Sequence, residues 1–150
     1  GGAEAEGSLR ARAARALQAR ARQLVRKLAL EDLSCLCWGL SRCIPAGEAD
    51  VPLMKAVAEM AAAEAPTASP DVVGKELAQL VRAFARLRLR HKGMLRAVAS
   101  RATQVLEDID TDGLLMLSWS FGEIYAKEEP PRPGAERFRG LLAAALEGRG

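Results

Sequence analysis

Leu33-Ser34-Cys35-Leu36-Cys37-Trp38-Gly39-Leu40-Ser41-Arg42 is a phrase that this chain repeats. It aligns with Leu77-Ala78-Gln79-Leu80-Val81-Arg82-Ala83-Phe84-Ala85-Arg86. It aligns again with Leu114-Leu115-Met116-Leu117-Ser118-Trp119-Ser120-Phe121-Gly122-Glu123. The copies begin at 33, 77 and 114, steps of 44 and 37 residues. Leu33, Leu36, Cys37 and Leu40 fall at i, i+3, i+4 and i+7, the apolar stripe of an amphipathic helix. A helix recurring at such a period signals stacked helix pairs, because one pair cannot cover its own stripe and a neighbour must do so.

Working outward, a second helical pattern separates the copies. Residues 51–64 place Leu53, Val57 and Met60 on one side, with Pro52 in a first turn that tolerates it. Residues 94–107 carry Leu95, Val98, Ala102, Val105 and Leu106, and residues 135–146 carry Phe138, Leu141, Leu142 and Ala145. At the front, residues 9–28 place Leu17, Ala21, Leu24, Val25 and Leu28 inward behind Ser8 as N-cap. Arg15–Arg20 of this helix matches Arg96–Arg101 at an offset of 81, the same offset that relates Leu33 to Leu114. Breakers rich in Pro and Gly fill 65–74 and 128–134. The expected architecture is all-α, a short α-solenoid of about three and a half stacked helix hairpins. Residues 1–7 are expected as a disordered lead. Residues 8–150 then form one helical-repeat domain with units near 8–30, 31–70, 71–108 and 109–148.

Composition agrees. Of 150 residues 49% are apolar but only 4% aromatic, and Ala, Leu, Arg and Glu dominate at the expense of strand formers. No apolar run approaches 18 residues, so no membrane span is expected. The acid-free, Arg-rich 8–30 stretch has the composition of a transit peptide. Its match to a later helix makes it part of the fold. Cys35, Cys37 and Cys43 are an odd, clustered set that suits buried thiols better than disulfides or a metal site.

Charge is local rather than global. The net charge is only +3, yet eight Lys/Arg stand against Glu76 alone between 75 and 101. Arg82, Arg86, Arg88, Arg90, His91, Lys92, Arg96 and Arg101 surround one inter-helix turn, and Arg20, Arg22 and Arg26 could extend the surface. Arginine offers permanently charged, bidentate donors to phosphate. Read along the sequence, no aromatic residue interleaves with these charges apart from Phe84, which belongs to the apolar stripe. Phosphate oxygens suit this surface, and contact with an RNA would be mainly through its phosphate backbone and sensitive to salt. Trp38 and Trp119 lie roughly 150° from the stripe centre at 3.6 residues per turn. They are candidates for a partner-protein interface.

Catalysis finds no foothold. There is no phosphate-binding loop, nucleophile elbow or HExxH helix, so no enzyme, no cofactor, no metal and no small-molecule substrate is expected. Asp108-Ile109-Asp110-Thr111-Asp112-Gly113 opens like a calcium loop, but its twelfth position is Trp119, not an acid. Asp110 or Thr111 is better read as a helix cap.

The phrase Leu-x-x-Leu-x-Trp-Gly-Leu-Ser-Arg, with its 37-residue step and its tryptophans at 38 and 119, resembles the heptatricopeptide and octotricopeptide repeats. These belong with the helical regions of organellar RAP and FAST-kinase-like proteins. The second unit departs from the pattern with Arg82 in the tryptophan column. The resemblance spans residues 9–146 and implies an organellar address, mitochondrial in preference to plastid. It implies a noncatalytic RNA-associated subunit of a ribonucleoprotein, the mitochondrial ribosome first, with rRNA and neighbouring proteins as partners. The alternative is a scaffold or assembly subunit of an organellar complex without RNA contact.

Overall fold

Caps and breakers set the helices. The computed structural model describes residues 2–126 and 132–149, and no strand occurs among them. Helix α1 is Gly2–Leu24, α2 Leu30–Cys43 and α3 Val51–Glu64. Helix α4, Pro70–Val72, runs through a π turn, Val73–Leu77, straight into α5, Ala78–Arg86. Helices α6 (Lys92–Gln104), α7 (Thr111–Tyr125) and α8 (Pro133–Glu147) complete the fold. Side chains cap four of these starts by accepting a backbone N–H three residues on. Asp50 takes Leu53, Ser69 takes Val72, His91 takes Met94 and Asp110 takes Gly113. Each such cap stabilises its helix by about 1 kcal/mol.

The three copies of the repeated phrase lie in α2, the 70–86 rod and α7. These pack side by side, α2 against α5 and α5 against α7. The intervening helices form a second row, α1 against α3 and α3 against α6, while α8 packs on α7. The chain is thus all-helical and repeat-like, and equivalent residues do equivalent work. Leu33, Leu77 and Leu114 are completely buried, and Leu40, Phe84 and Phe121 nearly so. Each such side chain contributes roughly 1.5–3 kcal/mol of burial before entropy is counted.

Several expectations are corrected. Helix α1 begins at Gly2, so residues 2–7 are helical rather than a disordered lead, and Ser8 is an exposed interior residue rather than an N-cap. Its inward stripe is turned by one residue. Leu17 is 50% exposed, whereas Gln18 is buried with Ala21 and Val25. The Gln18 amide explains this: its Nε2 donates to the Glu48 carbonyl, and its Oε1 accepts from Asp50 N at 2.7 Å. These backbone groups would otherwise go unpaired in the bend before α3. As the end of its row, α1 is covered on one flank only, so the equivalent of α6's buried Val98 stays open. The 65–74 breaker is shorter than its composition suggests, because Ser69 and Pro70 already start a helix. Leu141, expected inward, is 36% exposed. Of the 128–134 breaker, residues 128–131 lie outside the described residues, and Pro133 and Gly134 open α8.

Candidate functional site

Trp38, Arg82 and Trp119 hold the same position in the three copies. Because α5 lies between α2 and α7, the three side chains converge. The Arg82 guanidinium carbon is 4.4 Å from the Trp38 ring centroid and 5.9 Å from that of Trp119. One turn on, Arg86 stands 5.5 Å from the same Trp38 ring, and Arg90 lies 5.0 Å from Tyr125. The expectation that no aromatic interleaves with the basic cluster is therefore overturned. The rings come from positions 38, 119 and 125, distant in sequence, and stacking of the copies brings them beside α5. A guanidinium over a ring gains roughly 0.5–2 kcal/mol according to its exposure. A guanidinium that meets a ring with its face keeps its N–H donors in the plane, pointing past the ring. Arg82 and Arg86 thus sit against Trp38 with N–H donors that suit an anion.

The rest of the basic set divides by role. Arg88 ends α5 at φ 56°, the left-handed conformation that closes many helices. Leu89 N donates to Phe84 O and Arg88 N to Ala85 O, the paired bonds of a Schellman motif. His91 spends Nδ1 on capping α6, 3.0 Å from Met94 N. That bond engages Nδ1 alone. Lys92 and Arg96 are exposed on the first turns of α6. Arg101 is turned away: its Nε donates to Ala68 O at 2.8 Å and its Nη1 to Gln104 Oε1. Arg20 bonds Gln23, Arg22 pairs with Asp50 and Arg26 with Glu59. Arg20 and Arg22 sit on α1 and Arg26 in the turn Val25–Lys27 that follows it, both packed on α3 in the other row. Arg82, Arg86, Arg88, Arg90, Lys92 and Arg96 thus form the group around the α5–α6 turn.

Trp38 is half-buried against Arg82, and Trp119 stays 46% exposed beside Leu115, one turn away on α7 and 53% exposed. Leu115 and Tyr125 were missed by sequence reasoning. Leu115 aligns with buried Ser34 and Ala78, so nothing in its column marks it as outward-facing.

The cysteines do not share one environment. Cys37 is buried, whereas Cys35 and Cys43 are exposed, which corrects the reading of all three as buried thiols. Burial pushes the Cys37 thiol up to about 12, so it stays protonated near neutrality. Among the described residues no three His, Cys, Asp or Glu side chains gather to hold a metal ion. Asp110 is spent on its cap, 2.7 Å from Gly113 N. No helix among the described residues is long and apolar enough to cross a membrane.

No family model, curated protein or solved structure matches the chain.

Proposed function

We propose that this chain is a short α-solenoid acting as a noncatalytic RNA-associated subunit of an organellar ribonucleoprotein, the mitochondrial ribosome first. Two equivalent rows of helices joined by short turns support the solenoid reading. The observation that carries the RNA reading is the ring-stacked arginine pair Arg82 and Arg86, continuous with the basic α5–α6 turn. Ordered guanidinium planes with free edges suit phosphate oxygens, and the clustered cations raise the local potential toward a polyanion. The organellar address rests on the repeat resemblance.

Binding to mixed single-stranded RNA should weaken steeply between about 50 and about 200 mM salt, as phosphate neutralisation releases counterions. Charge reversal at Arg86, Arg90 and Arg96 together should abolish it. A purified chain that ignores RNA at low salt overturns the reading.

One observation favours a second reading. Leu115 and Trp119 form an exposed apolar pair on α7, suited to a neighbouring protein in a scaffold or assembly subunit without RNA contact. Nuclease treatment during copurification separates the two, because only a protein partner survives it.

A further inference from the structure

Helices α6 and α8 are tied together at one end and stand apart at the other. At their C-terminal ends Arg149 donates to the carbonyls of Leu106 and Glu107, at 3.3 and 3.0 Å. A cleft of about 540 Å³ opens between them, lined by α6 from Lys92 to Gln104 and by the N-terminal half of α8. That volume lies within the range of small-molecule sites. Leu95 and Ala99 from α6, Phe121 from α7, and Phe138 and Leu141 from α8 give it an apolar wall, with Ser100, Thr103, Gln104 and Tyr125 among them. Phe121 and Phe138 meet edge to face, centroids 4.8 Å apart. Lys92, Arg96 and Arg137 also line it, and no acid among the described residues does. Gly134 and Ala135 of the first turn of α8 border the cleft, and no side chain caps that turn. The helix dipole adds partial positive charge to the same end.

We propose that this cleft binds a single-chain anionic amphiphile, a long-chain carboxylate whose head meets Lys92, Arg96 and Arg137 and whose alkyl tail runs between α6 and α8. Charge complementarity selects an anion. Leu95, Ala99, Phe121, Phe138 and Leu141 suit an alkyl body, with the polar side chains of Ser100, Thr103, Gln104 and Tyr125 standing among them. Thr103 Oγ1 is spent on Ala99 O, and Gln104 Oε1 accepts from Arg101. This inference does not rest on the RNA reading, although Lys92 and Arg96 border both the cleft and the basic group around the α5–α6 turn.

The test titrates the full chain with octanoate, decanoate and laurate, each below its micelle threshold, following the methyl NMR signals of Leu95 and Leu141. Saturable binding should tighten roughly three- to fourfold per added methylene, as alkyl burial requires. The Lys92→Gln/Arg96→Gln pair should weaken laurate on the order of tenfold, the scale of losing a charged hydrogen-bond partner. Leu141→Glu should weaken it at least as much by placing a carboxylate against the tail. All three substitutions are at exposed positions, and unchanged helical circular dichroism verifies the fold. Lack of saturation, an affinity flat with chain length, or laurate binding untouched by both variants overturns the proposal. So does a single-stranded RNA that shifts the Leu95 and Leu141 methyls when laurate does not.

Discussion

Gly74 and Gly113 meet backbone to backbone, so closely that a methyl group on Gly113 would lie 2.6 Å from the Gly74 Cα. The contact joins the π turn before α5 to the first turn of α7, and it sets how near the second and third copies of the repeat approach.

Gly113→Ala should therefore destabilise the fold. Its Cβ would also crowd Gly74 O and Asp110 Oδ1, both at 2.8 Å, and neither is the far end of a flexible chain. Overpacking costs about 1–3 kcal/mol, which outweighs the gain of up to ~1 kcal/mol from replacing a helical glycine. Gly74→Ala should be milder, because its nearest neighbour is the Ile109 Cγ2 methyl at 3.1 Å. Denaturant midpoints for the two variants should rank in that order.

Leu80 and Phe84 stand in the middle row member, packed from both sides. Truncating either to alanine should cost roughly 2–5 kcal/mol, the range for buried large-to-small changes. Thermal unfolding checks this, and an unchanged midpoint would refute the assigned inward face.

Removing the guanidinium in Arg82→Ala should cost about 1–2 kcal/mol by deleting the contacts to both tryptophans. Tryptophan emission should shift to the red as water reaches Trp38. An unaltered spectrum would mean the stack is not formed in solution.

Arg88 holds a left-handed conformation that a side chain resists by roughly 1–2 kcal/mol and glycine does not. Arg88→Gly should raise stability by up to ~1 kcal/mol, part of the relief being offset by the freer unfolded chain. Chemical denaturation measures it.

Cys37 should be silent toward an aromatic disulfide reagent at pH 8 in the folded chain, while Cys35 and Cys43 react. Unfolding should release the third thiol. Its folded value, about 12, is above the ordinary 9.0, so the neutral form is the one the fold favours. Its contribution to stability is whole below pH 9 and is lost as pH rises from there toward 12. Unfolding midpoints measured across that interval should fall.

Much of this was legible in one dimension. The apolar columns at 33/77/114 and 40/84/121 are buried as their spacing requires, since 3.6-residue periodicity is a local property. Proline and side-chain caps such as Asp50 and Asp110 sit where their chemistry says a helix begins. Gln18 was not legible, because its partners are backbone groups in a bend some thirty residues away. The basic cluster was legible as charge but not as pairing: Arg101 donates to Ala68 O, and Arg22 and Arg26 pair at the surface with Asp50 and Glu59, groups the sequence does not place beside them.

The repeated phrase alone determined helix type, the rough boundaries and the register of the copies, because amphipathic spacing and capping act within a few residues. Only the tertiary structure decided that Arg82 would be clasped by Trp38 and Trp119, that α1 would leave Leu17 uncovered, and that α6 and α8 would part to form a cleft. Those outcomes depend on which neighbour fills each flank, and a flank is defined only when the rows pack.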